Sequence, residues 1–311
     1  MNVVVTGSIA YDYLMTFPGY FKDHILPDQI AKLSVSFLVD SMIKQRGGVA
    51  PNIAYSLALL GEHPIVMGTA GQDFSDYGAW LEAHGVDTSA VVIVPDKFTA
   101  SFFVNTDREH NQIASFYTGA MADASTLSFR DLEAPVDLAI ISPNDPEAMR
   151  KYPRECKQLG IPYIYDPSQQ IIRLSGDDLR EGMDGCKLLI VNDYEFEMIR
   201  NKTGMSEAQV LGCTDILIVT RVGDGSTIWA DSRRIDIPVV KPLHVADPTG
   251  VGDAYRAGVI KGMGLGLPWN VVGRMGSLAA TYVLEQPGTQ NHSYTWDEFV
   301  ARYQENFGPL I

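Results

Sequence analysis

Between Val136 and Thr220 short apolar runs alternate with amphipathic stretches, and this alternation restricts the fold more than any other feature of the chain. The spacing predicts strands over Val136–Ser142, Tyr163–Asp166, Leu188–Val191 and Ile216–Thr220, with helices over Asp145–Leu159 and Tyr194–Lys202. Strands joined by helices imply an α/β architecture with a parallel sheet. Polar and glycine-bearing pieces follow the strands: Asp166-Pro167-Ser168-Gln169-Gln170, Asn192 with Glu195, and Thr220 to Gly225. Ligands of open α/β sheets gather at such strand ends, so one edge of the sheet should carry the chemistry.

The first third is less regular. Val3 to Val5 and Gly7-Ser8 form a buried-strand pattern ending in a small-residue loop, from which Asp12 projects to cap a turn or to meet a ligand. Pro18-Gly19 and Pro27 interrupt the pattern from Met15 to Gln45, while Lys32 to Leu38 alternates as a half-exposed strand would. Gly47-Gly48-Val49-Ala50-Pro51-Asn52 opens a helix that stops at Gly61; paired glycines there suit a ligand near the backbone or tight helix packing. Ile65 to Met67 predicts a strand and Asp73 to His84 a helix capped by Asp73. Aromatic-rich strands over Thr99–Val104 and Ile113–Tyr117 predict a second excursion pairing with the first. Phe102 and Phe116 would fill that layer or stack on something beneath it.

Near the C-terminus, Val245 to Gly258 places Gly250-Val251-Gly252-Asp253 where an apolar helical pattern begins. Glycines let several N–H groups converge, and a helix start adds unpaired donors and a positive dipole end, so an anion and a carboxylate can meet there. A turn capped by Asp253 is the simpler alternative. Trp269–Leu284 is a further helix, and Tyr294–Phe307 reads as a terminal amphipathic helix.

A net charge of −14 argues against nonspecific binding to nucleic acid or anionic membranes. Cys156, Cys186 and Cys213 show no paired spacing, which suggests reduced thiols. The expected location is cytoplasmic, without a signal peptide or a span of about 20 apolar residues. The chain has no P-loop, no G-x-G-x-x-G after the first strand, no G-x-S-x-G elbow and no histidine pair with metal spacing. Walker-type ATPases, ordinary dinucleotide oxidoreductases and serine hydrolases are therefore disfavoured.

In their order along the chain, Asp12, Gly47-Gly48 with Asn52, Asn192 with Glu195, Thr220 to Gly225 and the late G-V-G-D resemble the ribokinase-like (PfkB) family of small-molecule kinases. Ala246-Asp247-Pro248-Thr249-Gly250-Val251-Gly252-Asp253-Ala254-Tyr255-Arg256-Ala257-Gly258 is the most specific piece. Val5 to Ala10, Phe37 to Asp40, Ile113 to Tyr117 and Asn144 to Met149 narrow the resemblance to bacterial adenosine kinases. Many sugar kinases of the family have Thr where this chain has Pro248 and Ala where it has Val251.

The resemblance implies a three-layer α/β/α body, 1–14, 46–96 and 119–311, with a small β lid from 15–45 and 97–118. It also implies ATP-dependent conversion of adenosine to AMP, with Asp253 as general base and Gly250, Val251 and Gly252 completing an anion hole. Asp12, Gly47, Gly48 and Asn52 would hold the ribose; Ser8, Ser36, Gln169 and Gln170 would contact the nucleoside, and Phe102 and Phe116 would stack on the base. Asn192, Thr220, Gly223 and Gly225 would bind ATP, Glu195 would hold Mg²⁺ through water, and Asp247 with Thr249 would serve a monovalent cation such as K⁺. Arg173 is either a phosphate contact on lid closure or a solvated surface residue. At a helix start Asp253 is expected to keep a low pKa. A homodimer through the lid is a further implication. A sugar kinase, a kinase for another nucleoside and a non-catalytic nucleoside sensor are the competing readings.

Overall fold

The computed structural model describes residues 1–25 and 31–310; Pro27 lies outside the described residues. In chain order, β1 (Val3–Thr6) is followed by β2 (Ala10–Thr16) and β3 (Ser41–Gly47), then α1 (Val49–Leu59), β4 (Ile65–Gly71), α2 (Ser75–Ala83) and β5 (Val91–Val94). β6 (Ala100–Thr106) and β7 (Gln112–Tyr117) precede β8 (Leu138–Ile141), α3 (Pro146–Leu159), β9 (Tyr163–Tyr165), α4 (Gly176–Met183) and β10 (Cys186–Asn192). The remainder comprises α5 (Asp193–Thr203), α6 (Glu207–Leu211), β11 (Thr214–Arg221), β12 (Gly225–Ala230), β13 (Arg233–Ile237), α7 (Val251–Gly264), α8 (Trp269–Leu284) and α9 (Trp296–Phe307).

Nine strands form the main sheet in the order β13-β12-β11-β10-β9-β8-β1-β4-β5. Pairing is parallel from β11 to β5, and β12 and β13 extend the sheet antiparallel. Alternate residues of each strand enter different cores, the direct result of the two-residue period. Val3, Val5, Leu188, Ile190, Ile216 and Ile218 pack with α1, α7 and α8. Val4, Leu189, Val191, Leu217 and Val219 pack with α3, α4 and α5 on the opposite face. The result is the expected three-layer α/β/α body.

A second sheet has the order β3-β2-β6-β7. Its first strand begins at Ala10 and pairs with β3 from Ala10↔Gly47 onward, so residues 10–14 belong to this sheet rather than to the body in which they were expected. Only Gly7, Ser8 and Ile9 separate β1 from β2, which makes Asp12 a residue of the small sheet.

Two local expectations fail. Lys32 to Leu38 forms no strand: the outer edges of β3 and β7 stay open in the small sheet, and this exposed stretch pairs with neither. Asp73 does not cap α2. Its Oδ1 instead accepts the Thr99 N–H at 2.8 Å and the Thr99 hydroxyl at 2.7 Å, tying the start of α2 to the approach to β6.

Candidate active site

The carboxyl ends of β1, β9, β10 and β11, the start of α7 and the inner face of the small sheet enclose a cavity of about 700 Å³. The two-residue period directs Asp12 and Leu14 of β2, Phe102, Val104 and Thr106 of β6, and Gln112 and Phe116 of β7 to its wall. Asp12 pairs in register with Gln45 and Phe102, and Phe102 with Phe116. One carboxylate and two aromatic rings therefore occupy one roof.

The base of the cavity is built at the start of α7. Gly250 is the N-cap residue, left-handed at φ 80°, and has no side-chain cap. A Cβ there would be strained and would also lie 3.0 Å from the Thr289 side chain. The first N–H groups of α7 follow this bend, beside the Asp253 carboxylate in the first turn. Across the cavity Gly48, at φ 90°, lets α1 begin beside the Ser8 carbonyl, to which the Ala50 N–H donates at 3.2 Å. α1 then delivers Asn52, whose Nδ2 donates to Asp253 Oδ2 at 2.8 Å.

Asp253 presents part of its surface to the cavity and is otherwise enclosed by protein. Burial is the main reason its carboxyl is pushed up to about 7, with Arg256 and the Asn52 hydrogen bond pulling the other way. The low value expected from the helix dipole is not found: a terminal-turn dipole is worth at most about 2 kcal/mol, less than the loss of water from a carboxylate costs. Burial, followed by the like charge of Asp247, pushes Asp12 up to about 6.

Arg256 lies one helical turn beyond Gly252 and pairs with Asp166 in the turn after β9. Burial opposes its charge, yet Asp166, Asp253 and Glu195 more than offset that and hold the guanidinium protonated. Burial likewise raises Asp166, and Arg256 pulls it back. This pair was missed from sequence, although an arginine among the small and apolar residues Ala254 to Gly258 was a visible signal. Thr289 and Gln290, in the turn after α8, also reach the site without any local motif to mark them.

Most of the expected residues converge. Ser8, Asp12, Gly48, Asn52, Phe102, Phe116, Gln169, Asn192, Glu195, Thr220, Asp247, Thr249, Gly250, Gly252 and Asp253 line the cavity. Val251, Gly223 and Gly225 line an adjoining groove of about 540 Å³, which shares Asn192, Thr220 and Gly252 with the cavity. Its wall is largely aliphatic, with Val239, Val240, Pro242, Ala280 and Leu284. Gly47 is buried behind the wall, where its carbonyl accepts the Tyr77 hydroxyl at 2.9 Å. Gln170 is not on the wall, and Ser36 and Arg173 are exposed away from it. Ser36 misses the site because its strand does not form.

Asn192 and Glu195 make a reciprocal cap for α5. Asn192 Oδ1 accepts the Glu195 N–H at 2.7 Å, and Glu195 Oε2 accepts the Asn192 N–H at 2.8 Å. Ser168 donates to the other Glu195 oxygen at 3.1 Å. Capping and exposure to the cavity thus coexist, and each carboxylate oxygen keeps a lone pair. Asp247 accepts N–H groups from Thr249 and Gly288, both at 2.9 Å; despite partial burial these hydrogen bonds hold it below the usual carboxylate range. Among the described residues no three His, Cys, Asp or Glu side chains form a metal cage, and no helix is long and apolar enough to cross a membrane.

The pfkB family carbohydrate kinase profile matches residues 3–296. The chain belongs to the PfkB family of carbohydrate kinases. A nucleoside kinase of Methanocaldococcus jannaschii is 28% identical to this PfkB kinase over 310 residues, covering 98% of this chain and 97% of the relative. A solved nucleoside kinase of Burkholderia thailandensis, in complex with inosine, superposes with a TM-score of 0.89 at 35% identity, covering 99% and 97% of the two chains. The same Burkholderia protein in complex with ADP-inosine gives a TM-score of 0.86 at 37% identity, over 98% and 96%. A ribokinase of Thermotoga maritima, at 18% identity and a TM-score of 0.81, shares the fold with this PfkB kinase.

Proposed function

We propose that this kinase transfers the γ-phosphoryl group of ATP to the 5′-hydroxyl of a purine nucleoside, with adenosine as substrate and AMP as product. The observation that carries the reading is the opposition of two carboxylates, Asp12 in the roof and Asp253 at the base, across one cavity beneath Phe102 and Phe116. A ribose diol offers two donors to Asp12, and the Gly48 backbone and Asn52 stand beside it. The two rings offer the base a stacking platform.

In this reaction Asp253 accepts the proton of the 5′-hydroxyl as that oxygen attacks the γ-phosphorus in line. The N–H groups from Gly250 to Asp253 take the charge that grows on the transferred phosphoryl oxygens. The aliphatic groove suits the adenine of ATP, with Thr220, Gly223, Gly225 and Asn192 along its path to the cavity. The oxygen donors Glu195 and Asn192 fit a Mg²⁺ that keeps its water shell, and an ionised Asp247 with Thr249 fits a monovalent cation. Bound Mg²⁺ would neutralise charge on the phosphates. Arg256 adds a fixed positive charge beside Asp253.

The small sheet would act as a lid that excludes water from the phosphoryl group. Its outer face carries Tyr13 stacked on Phe103 at 4.7 Å, with Met42 and Ile113 exposed, a surface suited to a second copy of the chain. A cytoplasmic location fits small-molecule phosphorylation with ATP.

Inosine as substrate is a second reading, favoured by the inosine complex of the Burkholderia relative. ADP release measured over adenosine, inosine, guanosine, cytidine, ribose and fructose tests both. Fastest turnover of adenosine is expected. Turnover of free sugars without nucleosides would overturn the nucleoside reading, and binding of adenosine with no ADP from any acceptor would make the protein a sensor.

A further inference from the structure

Behind Asn52 a line of hydrogen bonds leads away from the cavity into the body. Gln290 Nε2 donates to Asn52 Oδ1 at 2.7 Å and to the Tyr77 hydroxyl oxygen at 2.6 Å, and Tyr77 donates to the Gly47 carbonyl at 2.9 Å. All four residues come from different segments: the end of β3, α1, α2 and the turn after α8. Asn52 and Gln290 are 5% exposed and Tyr77 1%, so water has little access to their polar atoms.

We propose that Gln290, anchored on Tyr77, is a positioning residue that dictates which way the Asn52 amide faces and so keeps an N–H donor on the Asp253 carboxylate. The inference rests on the assignment of Asp253 as the base. Its logic is one of polarity. A main-chain carbonyl can only accept, so the single Tyr77 proton goes to Gly47 and the Tyr77 oxygen is left to accept. Gln290 must then turn its amide nitrogen toward Tyr77, and the second proton of that nitrogen requires an oxygen from Asn52. Asn52 in turn has only its own nitrogen to offer Asp253. Reversing the Asn52 amide would set its oxygen against the Asp253 carboxylate and its NH2 against the Gln290 amide nitrogen, acceptor facing acceptor and donor facing donor. The segment leading into Gln290 is held as well: Thr289 Oγ1 donates to the Arg46 carbonyl at 3.1 Å, and Gly288 N–H donates to Asp247.

The other charged groups around Asp253 are Arg256 on its own helix, Asp166 from the turn after β9, Glu195 on α5, and Asp12 and Asp247 on the cavity wall. None of them bonds to Gln290, so the relay is separable from the electrostatics of those groups. A donor on a carboxylate stabilises its ionised form, and withdrawing the donor shifts its titration upward.

The test is the pH profile of kcat/KM for the fastest nucleoside of the panel, at saturating MgATP, whose own ionisation is common to all variants. Gln290→Met should move the acid limb upward by about one pH unit, reading as roughly a tenfold deficit near pH 6 that shrinks to near parity by about pH 9. Tyr77→Phe, which removes one hydroxyl, should shift the limb the same way by less, and it decides the matter alone if Gln290→Met does not fold. An unchanged midpoint in a folded variant, or a loss uniform across pH, overturns the relay. Asp253→Asn run alongside separates the two failures: full activity in that variant overturns the base itself, whereas an inactive Asp253→Asn with an unshifted Gln290→Met overturns only the relay.

Discussion

Arg256 Nε lies 2.5 Å from Asp166 Oδ2, and this ion pair is buried against the side of the cavity that carries Asp253. It binds the start of α7 to the turn after β9 at the level where the reaction is proposed to occur. Removing one partner leaves the other charge without water or counter-ion. Arg256→Met should therefore destabilise the fold by about 3–5 kcal/mol in urea denaturation. Arg256→Met combined with Asp166→Leu should cost less than the two single changes added together, because the second change removes the Asp166 charge that the first leaves unpaired.

Asp253→Asn should lower kcat by about 10²–10⁴-fold in ADP release, while nucleoside binding measured by calorimetry persists. In the wild type, kcat/KM should rise with pH through about 7, as the raised Asp253 carboxyl loses its proton and becomes a base. A rate that is flat from pH 5 to 8 contradicts this assignment.

The same carboxyl should leave a mark on stability. Its folded pKa, about 7, exceeds the unfolded value of 3.8, so the folded state holds a proton that the unfolded state has released between those values. Its contribution to stability is fully present below the unfolded pKa and is lost as pH rises through the folded one. Asp253→Asn should thus gain in Tm relative to the wild type as the pH is raised from about 5 to about 8.

Phe102→Ala and Phe116→Ala test the roof. Base–aromatic stacking is worth about 1–3 kcal/mol, so each should raise the nucleoside KM by roughly tenfold or more with a smaller effect on kcat. KM for ATP should stay close to wild type, since neither ring touches the aliphatic groove.

Gly250→Ala probes the bend at the start of α7. The left-handed backbone and the Thr289 contact at 3.0 Å both oppose a Cβ. A fall in kcat of tenfold or more, corresponding to ~1–3 kcal/mol of strain at the anion site, is expected from single-turnover measurements.

The alternating strands and helices between Val136 and Thr220 were legible because each apolar run had to bury both faces, and the structure divides them between two cores as that requires. The cavity was legible wherever a local device marks a ligand-facing backbone: the bend at Gly250, the helix start at Gly48, the reciprocal cap of Asn192 and Glu195. The small sheet was harder. Alternation at Lys32 to Leu38 resembles a strand, but a period of two does not say whether a stretch will pair with an edge, and this one pairs with neither β3 nor β7. Arg256 with Asp166, and Gln290 with Asn52, were hidden for a different reason: each contact joins segments far apart in the chain, and side-chain pairing across such distances leaves no local pattern. The Asp253 value was misjudged because a helix dipole can be read from sequence whereas the depth of enclosure cannot.

Only three residues separate β1 from β2, so Asp12 is carried by the small sheet while Asp253 is carried by the body. On the proposed chemistry, the nucleoside is gripped by one sheet and activated by the other. The substrate is then a structural strut between two independently built halves, and its affinity must include the work of bringing them into alignment. A ligand that fits both halves should stiffen the whole molecule, whereas a free base that reaches only the roof should not.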